Sequence, residues 1–93
     1  MIAVQPRIII NMKNAYKYFT TYDLNLSAVL VSQNFTLEEV EKSGSGKALF
    51  YFKKSDELLE LIDRYWKNQL QISPQALFTS LKSIKNRLYS GWK

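Results

Sequence analysis

Two of the chain's three glycines stand two residues apart, in Ser43-Gly44-Ser45-Gly46, and mark the place where the backbone can reverse most tightly. Glycine adopts positive φ without the Cβ clash that other residues meet, so a short polar turn between apolar segments predicts a β-hairpin. The segment after the turn agrees. From Lys47 to Lys53 the side chains alternate, with Ala48, Phe50 and Phe52 on one face and Leu49 and Tyr51 on the other. The segment before it, Phe35 to Lys42, is more ambiguous. Thr36-Leu37-Glu38-Glu39-Val40-Glu41 also suits a helix by propensity, and its alternation slips at Glu38-Glu39, where a bulge would reconcile it with its partner strand.

A lone hairpin is marginal in water, so helices or a further strand must cover it. Three helices are predicted. Asp23 is placed to cap the first, Leu24 to Gln33, whose apolar positions spread over a wide arc and predict burial on much of its circumference. Asn34 is a suitable left-handed terminator. Ser55 caps the second, over Asp56 to Lys67, with Asp56 and Glu57 where the helix dipole favours negative charge. Leu58, Leu61, Ile62 and Tyr65 form its stripe, widened by Leu59 and Trp66, and Asn68 to Ile72 reads as a connector. Ser73 and Pro74 open the third, its stripe is Leu77, Leu81, Ile84 and Leu88, and Gly91 is placed to end it.

The N-terminal part is less regular. Ile8-Ile9-Ile10 is a β-branched run that favours a strand, whereas Asn11 to Thr21 shows no clear period and reads as a connector, helical or extended. The expected organisation is an N-terminal extension or edge strand over residues 1–15 and one α+β domain over residues 16–93. Its expected architecture is an antiparallel hairpin or three-stranded sheet with about three helices, the last two packed on one face. The third strand would come from Ile8–Ile10, or that segment would pair with a second copy of the chain.

A length of 93 residues suits one domain, and 46% apolar content provides a core without staples. There is no cysteine and no histidine. Disulfides, thiol chemistry and Cys-ligated zinc are therefore excluded, and near-neutral proton transfer loses its usual side chain. The apolar opening is too short to span a bilayer and lacks the features of a signal peptide, so a cytoplasmic protein without membrane association is expected. No enzyme activity, cofactor, metal or small-molecule substrate is expected.

Two chemical motifs have plainer alternatives. Gly44-Ser45-Gly46-Lys47 has the look of a phosphate loop's end, but it lacks the earlier glycine and the following Ser or Thr, and it joins strand to strand. Asp56, Glu60 and Asp63 share one side of a helix and would suit a hard cation, yet a solvated face with Glu60 near Arg64 accounts for them more simply.

The distribution of charge is more telling than its sum. Residues 1–23 carry +2, residues 24–63 carry −3 and residues 64–93 carry +6, which together make the net +5. Every acid lies between Asp23 and Asp63. On the last helix Lys82 and Lys85 share a polar side with Asn86 and Tyr89, while Arg87 points elsewhere and Trp92 follows. Cations interleaved with aromatic and amide groups suit phosphate neutralisation and base stacking. Cations near a helix C-terminus also complement its dipole, which is the plainer explanation.

Thr21-Tyr22-Asp23-Leu24-Asn25-Leu26-Ser27-Ala28-Val29-Leu30, the Phe35 strand, Ala48-Leu49-Phe50-Tyr51-Phe52, Leu58 with Tyr65-Trp66, Ser73-Pro74-Gln75-Ala76-Leu77 and Ser83-Ile84-Lys85 together resemble a family of small domains of unknown function. The resemblance spans about Tyr16 to Tyr89. It implies the order α-β-β-α-α and an origin in bacteria, phages or mobile elements, and it carries over no functional residue. The chain departs from the family pattern at Asn34, where glycine is usual, and in the extension Met1 to Asn11.

The leading functional expectation is a small, non-catalytic nucleic-acid-binding accessory protein. Lys82, Lys85, Arg87 and Lys93 would contact phosphate, Arg64 and Lys67 would assist, and Tyr89 or Trp92 would stack on bases, with DNA and RNA both open. The alternative is a protein–protein interaction or assembly module, homodimeric in one version, that uses exposed aromatics and sheet edges.

Overall fold

The computed structural model describes residues 17–42 and 46–90. The elements run β1 (Tyr18–Thr21), α1 (Leu24–Ser32), β2 (Leu37–Lys42), β3 (Ala48–Lys53), α2 (Asp56–Trp66) and α3 (Pro74–Ser90). Among the described residues the strands form one antiparallel sheet in the order β1-β3-β2, so the expected α+β fold is observed in its three-stranded form, with three helices. Its third strand is Tyr18–Thr21, from the segment that reads as a connector, and it pairs along β3 from Tyr18↔Lys53 to Thr21↔Phe50. The Lys54 amide extends this ladder by donating to the Lys17 carbonyl at 2.7 Å. Ile8–Ile10 lies outside the described residues.

β3 is central because it carries the aromatic alternation. Phe50 and Phe52 point to the core and are 2% and 0% exposed. Their cross-strand partners, Phe19 and Thr21 of β1 and Leu37 and Val40 of β2, share that face. Leu37 and Val40 are three residues apart and would ordinarily point to opposite faces. The register shift between Leu37 and Glu39 corrects this, leaving Glu38 as the extra residue of the bulge expected at Glu38-Glu39.

All three helices contribute to the core face, where Leu26, Leu30, Leu58, Ile62 and Ile84 join Phe50 and Phe52. α1 is the centre of this layer, packing against α2, α3 and β1. It is buried through five consecutive residues, Leu26 to Leu30, as the wide apolar arc predicts. Ser27 tolerates that position because its hydroxyl donates to the Asp23 carbonyl at 2.9 Å.

The helix starts follow the sequence closely. The Asp23 carboxylate accepts from the amides of Asn25 and Leu26, Ser55 Oγ from Leu58, and Ser73 Oγ from Ala76 at 3.4 Å. Asn34, with φ of 75°, ends α1 through paired bonds from the Asn34 amide to the Val31 carbonyl and from the Phe35 amide to the Leu30 carbonyl. Asn68, with φ of 58°, ends α2 in the same way, donating to Tyr65 while Gln69 donates to Arg64. Gly46 has φ of 89°, as the turn between β2 and β3 requires. The proposed terminator of α3, Gly91, lies outside the described residues.

Candidate functional site

α3 exposes a continuous stripe that the third-helix sequence dictates. Phe78, Lys82, Lys85 and Tyr89 recur at i, i+4, i+7 and i+11, which at about 3.6 residues per turn places them within an arc of about 60°. The buried Ser80 and Ile84 and the partly buried Leu77, Leu81 and Leu88 occupy the other side and hold the helix against the core. Both lysines are exposed, and neither forms an ion pair with a described carboxylate. Phe78 is 64% exposed and Tyr89 is 78% exposed. Phe78 is absent from the sequence-derived set, although its i+4 and i+11 spacing to Lys82 and Tyr89 was available as a signal.

The other cations are placed differently. Arg87 stands on the far side of α3 and reaches the bulge, where Nη1 donates to the Leu37 carbonyl at 2.9 Å and Nη2 to the Glu38 carbonyl at 3.4 Å. Its guanidinium thereby joins the last helix to β2, away from the stripe. Lys67 Nζ lies 3.0 Å from an Asp63 carboxylate oxygen, an ion pair with both side chains largely exposed. Arg64 is exposed on α2, a separate element from the stripe. Lys93 and Trp92 lie outside the described residues.

α2 departs from its expected packing. Leu59 and Trp66, seven residues apart, are 42% and 64% exposed and form an apolar flank rather than a widening of the buried stripe. Trp66 meets Tyr65 edge-on with ring centroids 4.9 Å apart. Partial burial pushes the Tyr65 phenol above its ordinary value, and the Asp23 carboxylate adds to the shift. The acids of α2 line its outer side, with Asp63 engaged by Lys67. Among the described residues no group of three or more carboxylates comes close enough to hold a metal ion.

On the sheet face away from the helices, Tyr51 donates to a Glu41 carboxylate oxygen at 2.7 Å and meets Tyr18 edge-on at 6.0 Å. Two open grooves of about 280 Å³ flank the α1–β2 connection at Phe35-Thr36. The more apolar one runs between Val31, Leu37 and Ile84 beside the Arg87 stem, and the other is lined by Glu38, Lys53 and Lys54. Every buried side-chain polar atom among the described residues has a partner, so neither groove presents an orphaned group to a ligand. No helix among the described residues is long and apolar enough to cross a membrane.

A family model described as a domain of unknown function (DUF5659) matches residues 16–90. No curated protein and no solved structure matches the chain significantly.

Proposed function

The chain belongs to this family of domains of unknown function, and we propose that it is a small nucleic-acid-binding accessory protein whose contact surface is the Lys82–Lys85 face of α3. One observation carries this: two exposed lysines, neither paired with a described carboxylate, stand together on a helix in a segment with no acid from Arg64 onward. A polyanion approaching that face meets positive charge without local competition, and each neutralised phosphate releases condensed counterions. Arg87 is a structural residue in this proposal. Lys67 contributes weakly, because Asp63 already neutralises it. A bacterial, phage or mobile-element setting belongs to the same proposal and rests on the resemblance of the aliphatic and aromatic anchors alone.

Fluorescence anisotropy of labelled DNA and RNA across a salt series tests the assignment. Replacing Lys82 and Lys85 with Glu is expected to abolish binding while the melting temperature stays within a few degrees of the parent. Unchanged affinity in a folded K82E/K85E protein would remove the face from consideration.

A second possibility, docking to another protein, is favoured by the exposed Leu59–Trp66 flank of α2. It uses a different helix, so the two surfaces are separable by mutation.

A further inference from the structure

Resting on the phosphate-binding face just proposed, we infer that the same stripe selects unpaired strands, with Phe78 and Tyr89 as stacking platforms at its two ends. Isolated exposed aromatics are ordinary on protein surfaces. These two are not isolated, since they bracket the two lysines on one helix and expose 64% and 78% of their surface. Along the axis the order is ring, ammonium, ammonium, ring, and Phe78 and Tyr89 are separated by about 16 Å at about 1.5 Å per residue. A single strand laid along the helix would present phosphates to Lys82 and Lys85 and free bases to the rings beyond them. A duplex has its base faces stacked inside and offers the same helix only its phosphates. Stacking tolerates any base because every base has a π-face, so the expected selectivity is for strandedness rather than sequence.

The arrangement also separates two contributions by their salt response. Two lysine contacts imply a log–log salt slope of about −1.4 on a single strand. Stacking adds affinity that persists when salt has screened the lysines.

The test compares a labelled oligothymidine strand with a duplex containing it, using the intact chain and three variants: F78A/Y89A, F78Y/Y89F and K82Q/K85Q. The parent should favour the single strand. F78A/Y89A should weaken single-strand binding by about five- to tenfold per ring, with the salt slope and duplex affinity unchanged. F78Y/Y89F should retain the preference because both rings remain. Far-ultraviolet circular dichroism establishes that each variant is folded, as the exposure of all four side chains predicts. If folded F78A/Y89A binds the single strand as the parent does while K82Q/K85Q weakens both nucleic acids, stacking is overturned and the phosphate face stands. If K82Q/K85Q also changes nothing, the face itself is overturned, and this inference with it.

Discussion

Asn34 and Asn68 both adopt the left-handed backbone region, and each ends a helix through the same pair of backbone bonds. The left-handed conformation brings Cβ against the following carbonyl, a cost of about 1–2 kcal/mol for most residues, which Asn tolerates and Gly escapes. Asn34→Ala should therefore destabilise the domain by about 1 kcal/mol, and Asn34→Gly should be neutral or slightly stabilising. For a domain of this size, about 1 kcal/mol corresponds to a fall of about 4–8 °C in Tm, which calorimetry resolves. An alanine variant that melts with the parent would show that the Asn34 conformation carries no such cost. The role of Asn34 was legible because an Asn after an apolar helix is a recognised stop. Asn68 reads only as the start of a connector, since it follows Lys67 and opens a segment rich in polar residues.

β2 takes its form from its partner strand. By propensity its residues suit a helix, and only pairing with β3 makes them a strand. The bulge at Glu38 lets both Leu37 and Val40 reach the core, at the expense of regular pairing. Arg87 supplies partners to the carbonyls of Leu37 and Glu38 across fifty residues of sequence. Arg87→Met keeps much of the stem's length and removes these donors. It should cost about 1 kcal/mol in urea denaturation, below the range usual for charged hydrogen bonds because the side chain is exposed. The salt slope of nucleic-acid binding should stay as in the parent. A shallower slope with unchanged stability would return Arg87 to the phosphate contacts. The side on which Arg87 projects follows from helical spacing, whereas its partners do not, because nothing local connects positions 37 and 87.

Across the whole molecule, charge is segregated along the chain as well as in space. The segment through Asp63 holds every acid, and the last third holds none. One face of α3 can thus attract a polyanion while the outer side of α2 repels it, and orientation follows from the long-range field. The exposed Leu59–Trp66 flank lies on the acidic helix and belongs to the docking alternative. Size-exclusion chromatography with light scattering decides between them. A monomer is expected at micromolar concentration and moderate salt. A dimer that dissociates on Trp66→Ser, with nucleic-acid affinity absent, would put docking first.

Helix starts, the Asn34 stop, the positive φ of Gly46 and the alternation of β3 were determined by the sequence alone, because each depends on residues within one or two turns of one another, and the segregation of charge along the chain is a property of the sequence itself. The tertiary structure decided the rest. It chose Tyr18–Thr21 as the third strand through pairing with residues 29 to 35 positions away. It left Trp66 at the surface although its helix is strongly amphipathic, since only the packed neighbours determine how much of an apolar arc is covered. It also drew Arg87 to the sheet and left Lys82 and Lys85 facing outward with Phe78 and Tyr89. Helical spacing says which side chains share a side, but which side meets solvent is determined by how the helices and sheet close over their common core.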